Sequence, residues 1–257
     1  TEYNALTTPS FVGLKNYQEL FQDETFRKCI RNTLIFVVTV VPAETVLGLL
    51  TAIWINNRKT TLLGKFVRNG MFIPSLAASG VVSIVWRILL NNENSPLYAF
   101  LKLFGIDSTL ILGSKEMVFP ALIIMDILMG MGYYMVLYLA YLVDIPDSYY
   151  EAARLDGATR MQTIRWITAP LMKPAIIMVA FLGVIATFQS FDMVYVMTGG
   201  GPGNGTTMTI MVYLYQYSFK YSKVGYGMAI GNILIIMVAV LTFTQRRLIN
   251  NKNSELY

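Results

Sequence analysis

Histidine is absent from this chain of 257 residues, and cysteine occurs once, at Cys29. The first absence removes Ser-His-Asp and Cys-His nucleophilic catalysis and imidazole-based metal sites together, and no metal site is expected. The second excludes an intrachain disulfide and leaves Cys29 as plain filler at a helix start. Charge is scarce as well. Charged side chains make up 14% and apolar ones 55%, whereas soluble domains carry about 25% charged residues. A chain this short of polar surface cannot face water on all sides. Nucleotide-binding loops are missing too. Gly64-Lys65 is followed by Phe66 and has no glycine five residues before it, so no G-x-x-x-x-G-K-[ST] loop exists. The cluster from Gly199 to Gly205 lacks the strand–helix setting of a dinucleotide fingerprint and reads as an external turn. Asn204-Gly205-Thr206 has the form of a glycosylation sequon, but a three-residue match carries little weight. The net charge of +5 reflects topology as much as partners, and no nucleic-acid partner is expected.

What the sequence has is long apolar runs. About 20 largely apolar residues cross a bilayer core of roughly 30 Å as a helix. Five stretches qualify, at about 31–56, 67–90, 117–143, 172–196 and 224–246. Their apolar residues lie all round rather than in alternation, which excludes β-barrel strands. The expected fold is therefore an all-α membrane protein forming a single transmembrane domain over 1–257, with 1–30 as an external segment. Pro42, Pro74 and Pro120 fall in or near spans, as does Gly227-x-x-x-Gly231; helix packing explains them better than gating does. The chain opens at Thr1 with mixed, polar residues and no signal-peptide pattern. A further helix upstream is expected.

Positive charge sets the orientation. If 57–66 and 144–171 face the cytoplasm, so does the tail from Gln245. The cytoplasmic segments then hold eleven basic residues against eight on the longer external ones.

Residues 144–171 are too long and too polar for a plain connection. Pro146 cannot continue the third span, and Asp147 or Ser148 is a suitable N-cap for a new helix. Glu151 suits the first turn or so of that helix. Ala152 and Ala153 favour helix and leave a flat face, and Asp156-Gly157-Ala158 offers a stop. MQTIRWITAP then reads as a second short helix leading to Pro170. Two short helices with a small, charge-rimmed surface suit docking against another protein. Catalysis does not fit, because no nucleophile, histidine or metal cluster accompanies Glu151 and Asp156.

The spacing Glu-Ala-Ala, three residues, Gly, nine residues, Ile-x-Leu-Pro resembles the signature loop of binding-protein-dependent ABC importer permeases. Here it is carried by Glu151, Ala152, Ala153, Gly157, Ile167 and Pro170, with Ala169 in place of the leucine. FVGLKNYQELFQDETFRKCIRNTL (11–34), LVDIPDSYYEAARLDGA (142–158) and FQSFDMVYVMTGGGPGNGTTMTIMVYLYQYSF (188–219) resemble the sugar-importer branch of that family. The resemblance implies a type I ABC importer transmembrane domain in a bacterial or archaeal cytoplasmic membrane, usually of six spans. It implies a second permease subunit, two ATP-binding subunits and an external solute-binding protein that delivers a sugar. ATP and Mg would be bound by the partner ATPase, so the chain itself is a transport subunit without a cofactor and not an enzyme. Glu151, Ala152, Ala153, Asp156, Gly157, Ile167 and Pro170 would couple to that ATPase.

Ionisable groups inside spans tend to face a cavity or a partner. Glu44, Asp126 and Asp192 are the candidates. Asp126, Gly130 and Tyr133 share one helical stripe, and Tyr134, Tyr138 and Tyr141 a neighbouring one. Sugars bind through hydroxyl hydrogen bonds and aromatic stacking, so Asp126, Tyr133, Tyr134, Gln189 and Asp192 are candidate pathway residues. The competing reading of the tyrosines is helix packing or an interfacial belt. Rival functions are the same importer type for a glycerol phosphate or polyol, an ion-coupled secondary transporter using Asp126 and Glu44, and a membrane scaffold or channel. The paired broken helices of secondary transporters are not visible in the sequence.

Overall fold

A computed structural model describes residues 10–202 and 205–253, without the side chains of Arg246 and 248–253. Thr1, Asn204 of the sequon and the tail cations Arg246 and Lys252 lie outside what is described. Every regular element among the described residues is helical. The order begins with α1 (Lys15–Gln22), α2 (Glu24–Asn56), α3 (Leu62–Leu76), α4 (Ser79–Asn91) and α5 (Pro96–Lys102). It continues with α6 (Val118–Val143), α7 (Asp147–Leu155), α8 (Arg160–Thr163), α9 (Ala169–Leu171) and α10 (Lys173–Phe188). The last helices are α11 (Asp192–Thr198), α12 (Ile210–Tyr215) and α13 (Val224–Asn253). Two π-helical turns, Ile164–Thr168 and Gln216–Lys220, join α8 to α9 and extend α12.

Four helical stretches are long and apolar enough to cross a membrane: Glu24–Asn56, Val118–Val143, Lys173–Thr198 and Val224–Gln245. They match four of the five predicted spans. The predicted span at 67–90 is instead broken. α3 and α4 are separated at Ala77 and Ala78, whose backbones are extended or nearly so (ψ 150° and 131°). Pro74, which removes one ladder donor and crowds the preceding turn, stands two residues before the end of α3. An apolar window counts residues but does not see this break. Pro42, by contrast, sits inside an uninterrupted α2.

The chain divides into two compact units. The described residues of the first fall within Thr1–Val40, Ala78–Asp126 and Val184–Tyr257; the second holds Val41–Ala77 and Ile127–Gly183. In the first unit, α4 packs on α11, and α12 and α1 pack on α13. An added Cβ at Gly227 would run into the side chain of Ser218, and one at Gly231 would stand 3.2 Å from Leu214 Cδ1. The G-x-x-x-G face therefore brings α13 close to the 210–220 segment, as small residues allow. Asn32 stitches the loop before α12 to α2. Its Nδ2 donates toward the carbonyls of Gly205, Thr206 and Met208 at 3.2, 3.1 and 3.0 Å. Next to it, the backbone N–H of Ile210 donates to Thr33 Oγ1 at 3.0 Å.

The second unit is built on glycines of α6. Gly132 faces the Met71 carbonyl of α3, and Gly130 lies under the buried carboxylate of Glu44. The core joins Ala52, Ile53 and Ile55 of α2, Tyr134, Met135, Tyr138 and Leu142 of α6, and Met172, Ala175 and Val179 of and before α10. Leu142 and Met172 flank residues 144–171, so both ends of that segment are anchored on the C-terminal end of α2.

Candidate docking loop and pathway residues

Pro146, with φ −58° and ψ 135°, turns the chain out of α6 and serves as the N-cap position of α7. Neither Asp147 nor Ser148 is the N-cap. Asp147 is the first helical residue, no side chain caps the end, and Asp147, not Glu151, supplies the first-turn carboxylate that suits the helix dipole. Glu151 lies one turn further on and is exposed.

The far end of α7 closes with both hydrogen bonds of a Schellman motif. Gly157 N–H donates to Arg154 O at 3.1 Å, and Ala158 N–H donates to Ala153 O at 2.9 Å. The motif needs a left-handed residue after the cap, and Gly157 supplies it with φ +74°. Asp156 is the C-cap. Two residues on, Thr159 and Gln162 form a reciprocal capping box: Gln162 N–H donates to Thr159 Oγ1, and Thr159 N–H donates to Gln162 Oε1 at 2.7 Å.

From Arg160 to Leu171 the chain is one helical run with a π turn in it. Pro170 explains the widening. It has no N–H for the carbonyl four residues back, and the Ala169 N–H reaches instead to Ile164 O, five residues back. The expected second short helix is present in this altered form.

The two alanines point in different directions. Ala153 is buried and Ala152 is exposed. Tyr150, three residues before Ala153 on the same face, places its hydroxyl 3.4 Å from Thr168 Oγ1, and Thr168 is itself buried. α7 is thus held against the π turn by Tyr150 and Ala153, while Glu151, Ala152, Arg154 and Leu155 face outward. Ile167 is half-buried and Pro170 exposed.

Leu155 is 90% exposed, Met161 71% and Trp166 70%, with the Arg165 guanidinium 5.3 Å from the centre of the Trp166 ring. These are the most exposed large apolar groups of the segment that carries Glu151, and Tyr149 and Leu171 are open as well. The motif reading did not single them out. The signal was there, since a leucine, a methionine and a tryptophan stand in a segment too polar to be a span.

The pathway candidates are distributed between the units. Asp126, Gln189 and Asp192 belong to the first, and Tyr133 and Tyr134 to the second. Asp192 begins α11 and accepts a hydrogen bond from Ser79 Oγ at the start of α4. Arg87 of α4 also donates to Val196 O of α11 at 3.2 Å. Gln189 is exposed at the break between α10 and α11. Tyr134 and Tyr138 are buried in the second unit's core; Tyr133 is half-exposed, edge-on to Tyr134 at 5.5 Å. Sequence reasoning missed an aromatic trio in the first unit. Phe191, Tyr195 and Tyr215 pack with ring centres 4.8 to 5.0 Å apart.

Residues 44–253 match the family described as the binding-protein-dependent transport system inner membrane component. The lactose transport system permease protein LacF of Rhizobium radiobacter is 32% identical over 238 residues, 91% of this chain and 80% of that protein. The multiple sugar-binding transport system permease protein MsmF of Streptococcus mutans is 31% identical over 239 residues, 93% of this chain and 81% of that one. A chain of a bacterial ABC transporter involved in import of the acidic polysaccharide alginate has the same fold. It superposes with a TM-score of 0.85 at 23% identity, covering 96% of this chain and 86% of that one. With a family match across most of its length, an all-helical fold and the Glu-Ala-Ala loop in place, this chain belongs to the inner-membrane permease family of binding-protein-dependent ABC transport systems.

Proposed function

We propose that this chain is one permease subunit of an ATP-driven importer in a bacterial or archaeal cytoplasmic membrane. It forms half of the pathway for a sugar or oligosaccharide delivered by an external solute-binding protein. Residues 144–171 couple it to a cytoplasmic ATP-binding subunit, and a second permease subunit completes the pathway. The sugar cargo rests on the relatives that carry lactose and multiple sugars.

The observation that carries the coupling role is the exposed set Leu155, Met161 and Trp166 on the same loop as the exposed Glu151, a loop fixed at both ends. Exposed apolar anchors ringed by polar groups are what a protein partner buries. The Schellman motif, the capping box and the Tyr150–Thr168 contact make α7 to α9 a stiff body rather than a pliant tether. A push from a closing ATPase reaches α6 through Leu142 and α10 through Met172, because both side chains are locked in the core with α2. Glu151 would face a cationic or backbone-donor site on the ATPase, and Ala152 would permit close approach. ATP and Mg belong to the partner, whose hydrolysis supplies the energy.

The test is Leu155→Ala, Trp166→Ala and Glu151→Ala in the assembled importer. Exposed residues contribute within about 0.5 kcal/mol to stability, so the melting temperature stays near wild type. Substrate-stimulated ATP hydrolysis and co-purification of the ATP-binding subunit should fall about fivefold or more in each variant, as loss of interface anchors worth over about 1 kcal/mol each would produce. Full coupled hydrolysis in all three variants would overturn the assignment.

A further inference from the structure

The turn between α2 and α3 carries four cations and no anion. Arg58, Lys59, Lys65 and Arg68 are all exposed, and the sequence holds no acidic residue from Thr45 to Asn92. Among the described residues none of the four is paired with a carboxylate within 4.0 Å. The turn itself is tight. Thr61 N–H and Thr61 Oγ1 both donate to the Arg58 carbonyl, at 2.9 and 2.8 Å, and Gly64 N–H donates to Thr61 Oγ1 at 3.1 Å. The Arg58 guanidinium lies 4.5 Å from the centre of the Trp54 ring.

α3 then presents two adjoining stripes. Leu62 (86% exposed), Phe66 and Ile73 form an open apolar stripe at helical spacing. Lys65 and Arg68, three residues apart, run alongside it over the first two turns only. An apolar stripe that continues up the helix, with cations confined to its starting end, is the arrangement of a surface that meets acyl chains above and headgroups below. A cytosolic protein partner would meet carboxylates with these cations but has no use for the stripe that continues into the span.

We infer that this turn and the first two turns of α3 form a binding surface for anionic phospholipid headgroups. The leaflet is the one on the side of residues 144–171, because the C-terminal end of α2 packs with Leu142 and Met172. The phosphate and its extra negative charge would be met by Arg58, Lys59, Lys65 and Arg68, and the acyl chains by Leu62 and Phe66. Such surfaces gather anionic lipid through the summed attraction of juxtamembrane cations.

Photo-crosslinking of the assembled importer tests this. Benzoylphenylalanine replaces Phe66 in vesicles of equal parts phosphatidylglycerol and phosphatidylcholine, and lipid adducts on this chain are counted by mass spectrometry. The same crosslinker at Ile235, exposed on α13, gives the baseline. Phosphatidylglycerol adducts should exceed phosphatidylcholine adducts at position 66 by about threefold or more, against about equal numbers at position 235. The R58Q/K59Q/K65Q/R68Q variant should bring position 66 down to the baseline. Equal adducts at position 66 in the otherwise native protein, a preference that survives the fourfold substitution, or adducts to a partner subunit in place of lipid would each overturn the inference.

Discussion

Gly132→Ala isolates the contact on which the second unit is built. A Cβ placed on Gly132 would stand 2.9 Å from the carbonyl carbon of Met71 and closer still to its oxygen. The obstacle is main chain held in α3, not the free end of a flexible side chain. To reach an acceptable contact, α3 and α6 must part by about 1 Å, and the side chains around them lose part of their dispersion contacts. Between helices in lipid that loss matters more than in water, since close packing is a principal term holding them together. Overpacking of this kind costs about 1–3 kcal/mol. Alanine's better helix propensity returns about 1 kcal/mol. The clash wins, because a main-chain obstacle puts the cost at the upper end of that range and leaves a net loss of about 2 kcal/mol. For a chain of this size 1 kcal/mol shifts the melting point by about 2–4 °C, so the variant should melt about 4–8 °C lower. Gly70→Ala in α3 is the matched control. Nothing lies within 4 Å of its added Cβ, so only propensity acts, and stability should hold or rise by about 0.5–1 kcal/mol. Thermal unfolding of the purified importer, followed by fluorescence-detected size exclusion, separates the two. If both alanines shift the midpoint in the same direction, the close approach of α3 and α6 is not what the structure describes.

Asn32→Ala should free the loop before α12, because one side-chain amide serves three of its carbonyls; limited proteolysis would show new cleavage near 205–209, and an unchanged digest would refute the role. Tyr213→Phe removes a buried phenol's hydrogen bond to Asp23, leaving that carboxylate the Tyr226 hydroxyl at 3.3 Å, and should cost about 1–2 kcal/mol. Burial, then donation to Asp23, holds the Tyr213 proton on well above the ordinary tyrosine range. Its contribution is therefore intact below the unfolded value of about 10 and lost as pH rises above it, so melting of the two proteins should differ by a constant amount from about pH 6 to 9. Gly157→Ala meets no neighbour within 4 Å but adopts φ +74°, so its cost is backbone strain alone, about 1–2 kcal/mol; Gly157→Asn should recover part of it, and equal melting of alanine and glycine forms would remove the Schellman argument.

Four spans were legible because a run of twenty apolar residues has few uses other than crossing a bilayer. In the fifth the run was legible but its break was not, because extended backbone at Ala77 and Ala78 leaves the composition unaltered. Pro42 and Pro74 look alike in sequence, yet α2 runs on past one and α3 stops shortly after the other. The residues beyond each proline do not account for the difference, since Ser-Leu-Ala-Ala after Pro74 is no poorer a helix former than Ala-Glu-Thr-Val after Pro42. The loop was legible as to place and stop signal. Its N-cap was not, since Asp147 and Ser148 qualify on type alone and only the backbone shows that Pro146 already holds the extended position. The pathway residues were the least legible. Tyr134 and Tyr133 are neighbours of one residue type, and only tertiary packing buries the first and half-exposes the second.

That same distinction bears on the paired alanines. Adjacent residues on a helix point about 100° apart, so Ala152 and Ala153 cannot serve one surface. Ala153 is small because α7 must lie close against the π turn that Pro170 creates, within reach of Tyr150 to Thr168. Ala152 faces outward beside Leu155 and Glu151, where smallness matters to whatever approaches from outside. Proline, alanine and glycine in this loop therefore form one construction. Pro170 widens the second helix, Ala153 lets the first settle on it, Gly157 ends the first so that the chain can return, and Glu151, Leu155, Met161 and Trp166 are left exposed. A loop kept only for connection would need none of these coordinated choices, and this is the physical reason to regard the segment as a rigid docking element.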